Sequence, residues 1–220
     1  MLSLAVLASG SGTNLAALLG ACASGRIAAK VSVVVCNVPG ARALERARDA
    51  GVPAVLLDHA AFPDRPSFEA ALDAELSRRG IDLVILAGFM RMLGAAFVEK
   101  WEGRIVNVHP SLLPSFPGLA APRQALAAGV RISGCTVHVV DAGQDTGPIL
   151  AQAAVPVLPD DTEESLRIRI QAQEHLILPH AIGLIADGKV RLEGRRVIYE
   201  RAVDGSCAAK ALACPEPEVR

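Results

Sequence analysis

Three short runs, Leu2 to Ala8, Val31 to Cys36 and Asp82 to Ala87, constrain this chain most, because they are almost wholly apolar and show no polar alternation. Runs of this kind read as strands buried on both faces of a parallel sheet. A helical pattern follows each of the first two. Leu15, Leu18 and Leu19 lead toward Gly25, and Ala41 to Ala50 closes at Gly51. Ala54 to Leu57 is a further strand, and Phe68, Leu72 and Leu76 then recur every four residues ahead of Arg78, Arg79 and Gly80. Strand and helix in alternation imply parallel strands joined by right-handed crossovers. The expected fold is α/β: a single domain with a Rossmann-like, open, mostly parallel twisted sheet flanked by helices.

In an open sheet of this type, ligands bind beyond the carboxyl ends of the strands. Three stretches fall there. Ser9-Gly10-Ser11-Gly12-Thr13-Asn14 joins the first strand to the first helix, an arrangement in which backbone N–H groups and the helix dipole receive a phosphate. The spacing is not G-x-G-x-x-G and no Walker lysine follows, which favours a single phosphomonoester over a dinucleotide or triphosphate. A plain connection with Thr13 or Asn14 as N-cap is the competing reading. Gly88 to Leu93 is either a helix start that buries Phe89, Met90 and Met92, the favoured reading, or a slot for a flat ring.

The third stretch is RIVNVHPSLLPSFPG, Arg104 to Gly118. Asn107 and His109 stand two apart on a β-branched run, so an amide and an imidazole share one face of the strand. Pro110, Pro114 and Pro117 stiffen the loop beyond the strand, as suits a site that holds a reacting carbonyl. Further on, Arg123 to Gly129 makes a short helix and Ile132 to Val140 a strand, with His138 read as a core histidine. The loop Asp141 to Pro148 carries two acids. Asp145, bracketed by Gly143 and Gly147, is the one expected to support the imidazole, whereas Asp141 reads as ordinary turn chemistry.

A strand over Ile149 to Val157 precedes a long helix, Asp160 to Gly188, capped by Asp161 or Thr162 and kinked or broken at Pro179. Its polar cluster, Gln171, Gln173, Glu174 and His175, reads as a solvated face. Lys189 to Leu192 and Arg196 to Tyr199 look like a hairpin. Residues 201–220 read as a flexible tail with Cys207 and Cys214 exposed.

Composition narrows the function. A chain of 220 residues, 51% hydrophobic and 20% charged, can bury a sizeable core within one domain. A net charge of −1 without a long basic run gives no electrostatic case for nucleic acid or an anionic membrane. The five cysteines lack a C-x-x-C pair and are expected to be reduced. No two of His59, His109, His138, His175 and His180 share an i, i+4 spacing, and no metal is expected. The N-terminus shows no basic n-region and no span of bilayer length, so a cytoplasmic protein is expected.

SGSGTN, LAGFMRML, NVHPSLLPSFPG, GCTVHVVDAGQDTGPI and QAQEH, taken together, resemble the folate-dependent formyltransferases, in particular those acting on phosphoribosylglycinamide, from about Leu2 to Tyr199. The resemblance implies transfer of a formyl group from 10-formyl-tetrahydrofolate to the amine of glycinamide ribonucleotide, a step of purine biosynthesis. It implies Asn107, His109 and Asp145 as the catalytic trio. It assigns the phosphoribosyl end to Gly12, Thr13 and Asn14 with Glu174. It assigns the folate to Arg65, to Met90, Arg91, Met92 and Leu93, and to Asn107 with Asp141, Ala142, Gly143 and Gln144. A cis Leu113–Pro114 bond, small-molecule partners only, and a monomer or weak homodimer are also expected. One departure is visible: Leu119-Ala120-Ala121-Pro122 stands where the family commonly carries a histidine-bearing segment. The rivals are a formyltetrahydrofolate hydrolase, a methionyl-tRNA formyltransferase, for whose extra domain the chain has no room, and a non-catalytic nucleotide-binding domain.

Overall fold

The structure, a computed structural model, describes residues 1–200; the expected flexible tail lies outside the described residues. The strands are β1 (Leu2–Ala8), β2 (Ala29–Cys36), β3 (Ala54–Leu56), β4 (Leu83–Leu86), β5 (Ile105–His109), β6 (Ile132–Val139) and β7 (Ile149–Pro156), and they form one sheet in the order β3-β2-β1-β4-β5-β6-β7. The first five pair in parallel, while β6 and β7 are added antiparallel. The helices are α1 (Thr13–Ala23), α2 (Arg42–Asp49), α3 (Arg65–Arg78), α4 (Ala95–Lys100), α5 (Ala121–Ala127) and α6 (Glu163–Ala186). A hairpin, β8 (Val190–Glu193) with β9 (Arg196–Tyr199), follows α6.

Burial on both faces explains the apolar runs. Along β1, Leu4, Val6 and Ala8 pack with Leu15, Leu18, Leu178 and Ile182 of α1 and α6. Ala5 and Leu7 point the other way, into a layer containing Phe68, Leu72, Leu76, Phe97 and Trp101 of α3, α4 and their ends. Strand order reverses between β1 and β4, the point at which an open α/β sheet leaves a crevice at its carboxyl edge.

Of the kink or break expected at Pro179, the break does not occur: α6 continues through it. A proline removes one helical N–H. Here residues on both sides of it, Ile170, Leu178, Ala181 and Ile182, are buried, so packing holds the helix in one piece. Thr162 caps it, accepting from Ser165 N at 3.1 Å while the Ser165 hydroxyl accepts from Thr162 N at 3.0 Å. Asp161 anchors the same end, bound by Arg169 at 2.6 and 2.9 Å.

Candidate active site

Strand β5 delivers Asn107 and His109 to the carboxyl edge, on one face as their spacing requires. His109 is 5% exposed, and its Nε2 donates to the Phe116 carbonyl at 2.9 Å. Phe116 has a left-handed backbone, φ 55°, an uncommon conformation for a residue with a side chain. It turns the loop back over the strand end. The rest of the loop is tied down below the site. The Thr136 hydroxyl donates to Ser111 O at 2.7 Å and accepts from Leu113 N at 3.0 Å, and Gln152 Nε2 donates to Leu113 O at 2.9 Å. The Leu113–Pro114 peptide is cis, as the family resemblance implied.

Asp145 arrives from the β6–β7 connection, also left-handed at φ 54°. One carboxylate oxygen accepts from Gly118 N at 2.8 Å and lies 3.5 Å from His109 Nδ1; the other lies 3.6 Å from His138 Nε2. Burial alone would raise its pKa, but His138, the Gly118 amide and the charge of His109 outweigh that and hold it below the usual carboxylate value. The carboxylate is therefore ionised at neutral pH. Both nitrogens of His109 face oxygen atoms, Phe116 O and the Asp145 carboxylate. Gly147 lets the loop return, because a Cβ there would collide with the Val139 carbonyl. From the hairpin, Arg195 donates to Thr146 O at 2.9 Å. Asp141 performs turn chemistry, as expected, accepting from Gly143 N at 3.1 Å and Thr146 Oγ1 at 2.6 Å.

His138 corrects the sequence reading. It is buried, but it belongs to the site: Asn107 Nδ2 lies 3.2 Å from its Nε2, and its Nδ1 donates to Val139 O at 3.0 Å. The antiparallel register pairs Asn107 with His138 and His109 with Thr136. The signal in the sequence was the two-residue spacing of Thr136 and His138, matching that of Asn107 and His109 on the neighbouring strand.

Two cavities meet at this edge. The first, about 340 Å³, is lined by residues 88–93, Asn107, His109, Leu119, Ala120 and the 141–145 loop. Met90 and Met92 are 65% and 59% exposed, so the 88–93 stretch forms a wall of this cavity and does not bury its methionines in the core. It follows β4 as an irregular segment whose end is fixed by Glu69, which accepts from Gly94 N at 2.7 Å. Arg65 does not line the cavity; its Nε sits 3.8 Å from Glu69. Ala120 and Pro122 form the start of α5, Ala120 lining the cavity beside Leu119.

The second cavity, about 320 Å³, is lined by Ser9 to Asn14 and by Arg167, Gln171 and Glu174 of α6. Gly12, at φ 68°, precedes α1 without a side-chain cap, so neither Thr13 nor Asn14 is the N-cap. A Cβ on Gly12 would lie 2.9 Å from Ala43 Cα, which makes glycine obligatory where the turn crosses α2. The polar cluster on α6 is not merely a solvated face. Glu174 is 7% exposed and accepts from Asn14 Nδ2 at 2.8 Å, and Gln171 lines the cavity. Burial pushes the Glu174 carboxyl up, against the pull of Asn14 and Arg167. Ser9 links the cavities, its hydroxyl accepting from Met90 N at 2.8 Å and donating to Asn37 Oδ1 at 2.6 Å. Cys135 is no nucleophile, since burial and the charge of Glu174 push its thiol up to about 12.

A sheet that presents an amide, two imidazoles and a carboxylate beside an apolar cavity and a glycine-rich turn has the groups that acyl transfer uses. The family model described as "Formyl transferase" matches residues 2–182, and the chain belongs to that family. Among its relatives is the phosphoribosylglycinamide formyltransferase of Escherichia coli, 43% identical over 87% of this chain and 90% of the relative. The glycinamide ribonucleotide transformylase 1 of Symbiobacterium toebii has a solved structure that superposes with a TM-score of 0.89, at 55% identity, covering 90% of this chain and 94% of that one. The trifunctional purine biosynthetic protein adenosine-3 of Drosophila melanogaster is 50% identical over 84% of this chain, which spans only 14% of that protein's length.

Proposed function

We propose that this chain transfers the formyl group of 10-formyl-tetrahydrofolate to the amine of N1-(5-phospho-β-D-ribosyl)glycinamide, releasing formylglycinamide ribonucleotide and tetrahydrofolate, in cytoplasmic purine biosynthesis. One observation carries the reading. The apolar cavity and the glycine-turn cavity share Gly88, Met90, Val108 and Pro110, so they adjoin at His109, which Val108 and Pro110 flank. A donor in one and an acceptor in the other would meet at that imidazole. A formyltetrahydrofolate hydrolase has no use for the second cavity, and a simple nucleotide-binding domain has none for the first.

In this mechanism the folate ring lies against the Met90 to Leu93 wall and the Asp141 to Gln144 loop, and the ribonucleotide phosphate lies on Gly12, Thr13 and Asn14. Glu174, held by Asn14, faces the sugar. The primary amine attacks the formyl carbon, and negative charge develops on the formyl oxygen. Asn107, whose Nδ2 lies 3.2 Å from His138 Nε2, turns an amide hydrogen to that oxygen. His109 supplies the second donor by turning its Nε2–H from Phe116 O to that oxygen, while Asp145 stays beside Nδ1. The amine proton then leaves through solvent and His109 toward the departing folate nitrogen as the carbon–nitrogen bond breaks. The chain works on small molecules, as a monomer or weak homodimer.

The test is a spectroscopic assay for deformylated folate with and without glycinamide ribonucleotide. Product should form only with the ribonucleotide, and His109→Ala should lower kcat by about 10²–10³. Product formed equally in the absence of ribonucleotide would make the chain a hydrolase.

A further inference from the structure

The glycine-turn cavity sets an acid beside a turn that offers donors to an anion. It offers backbone N–H groups at an uncapped helix start, yet Glu174, bonded to Asn14 of that turn, is acidic and buried. Asn14 Oδ1, an acceptor, is buried there with no partner, which leaves a place for a ligand hydroxyl. A phosphate dianion brought against Glu174 needs a cation nearby. Among the described residues, Arg167 is the one cation that lines this cavity.

We propose that Arg167 is the phosphate-binding cation of this site and that its guanidinium exchanges partners when substrate arrives, leaving Glu164 for the phosphate. This rests on the transfer reaction proposed for the chain. Arg167, Gln171 and Glu174 occupy positions i, i+4 and i+7 of α6, one face of the helix, directed at the Ser9 to Asn14 turn. The guanidinium is now held by Glu164, through Nε at 2.8 Å and Nη2 at 2.6 Å. That pair is surface-exposed, with side chains 44% and 64% accessible, and an exposed i, i+3 pair is weak. A phosphate already seated on oriented backbone N–H groups offers the same fork geometry and a larger charge. The other nearby cation, Arg46, donates through Nε to Ser11 O at 2.9 Å and does not line the cavity; it braces the turn from outside.

The experiment compares full-length wild type with Arg167→Ala, Arg167→Lys and Arg46→Ala. Kinetics are read on glycinamide ribonucleotide and on the same molecule without its phosphate, and ribose 5-phosphate is titrated by thermal shift. Arg167→Ala should raise KM for the ribonucleotide about tenfold or more. It should leave KM for the folate within about twofold and should barely change kcat/KM for the dephosphorylated acceptor. Lysine should restore part of the loss. Equal losses on both acceptors, an unchanged ribonucleotide KM, or a loss confined to Arg46→Ala would overturn the assignment. Should wild type make no product at all, the proposed reaction fails, and ribose 5-phosphate still decides Arg167. A midpoint shift that weakens by about tenfold in ligand concentration in Arg167→Ala supports it, and an identical titration overturns it.

Discussion

Thr136→Val tests whether the active-site loop is held by one buried hydroxyl. Thr136 is fully buried on β6, directly across from His109, and its hydroxyl donates to Ser111 O and accepts from Leu113 N and Gln152 Nε2. Valine keeps the volume, so no cavity forms, but Ser111 O and Leu113 N lose their partners. Gln152 retains Leu113 O. Leaving a buried polar group unpaired costs about 1–3 kcal/mol, so two such groups put the loss at about 2–6 kcal/mol. A domain of ordinary stability, about 5–15 kcal/mol, survives that. The functional loss should be larger than the structural one suggests. The loop carries both the Phe116 carbonyl that fixes His109 and the Gly118 amide that fixes Asp145, and small misplacement of reacting groups is expensive. kcat should fall at least about tenfold, with smaller changes in either KM. The assay is urea denaturation followed by Trp101 fluorescence, alongside steady-state kinetics. Thr136→Ser is the control: it keeps the hydroxyl, loses one methyl group, and should cost only about 1 kcal/mol. A valine variant as stable and active as the serine variant would refute the reasoning, because it would mean that packing, not the hydroxyl, holds the loop.

Glu174→Gln should be at least as stable as wild type at pH 7.5. Burial raises this carboxyl above 4.5, so wild type loses stability as pH climbs from the unfolded value through the raised one, and the amide does not; denaturation midpoints at pH 4.5 and 7.5 measure it, and KM for the ribonucleotide should rise. Asp161→Asn should destabilise by about 2–3 kcal/mol, since Asp161 binds Arg169, Leu158 N and Ser165 at the start of α6. Arg169, with the Leu158 amide and Ser165, depresses the pKa of Asp161 well below 3.8, so the gap between wild type and variant should be complete above about pH 5 and close as acid protonates the aspartate. A gap that persists unchanged to pH 2 would remove the ionic explanation.

The distribution of apolar residues was enough to determine the layered part of this protein. Because β1, β2 and β4 are covered on both faces, their sequences could not alternate, and the absence of alternation announced a parallel sheet with its ligand edge. Spacing within one strand was equally legible: Asn107 and His109 share a face because successive side chains on a strand alternate. The nearness of Asp145 to His109 was expected from their motifs, and the structure sets the carboxylate 3.5 Å from His109 Nδ1, with Asn107 lining the same cavity.

What the sequence could not decide is whatever depends on one element meeting another. His138 looked like core because its neighbour, Asn107, lies 31 positions away and becomes adjacent only through the β5–β6 register. Glu174 looked solvated until α6 was laid across α1, where Asn14 receives it. Met90 and Met92 looked like core because apolar character does not distinguish a buried helix turn from the wall of an open cavity. Pro179 allowed a break as well as a kink because local propensity takes no account of the packing on either side of it. Periodicity records the surroundings of each residue averaged over one element, and so it fixes elements and their faces. Contacts between elements depend on the register and crossing of the assembled chain, and these only the tertiary structure decided.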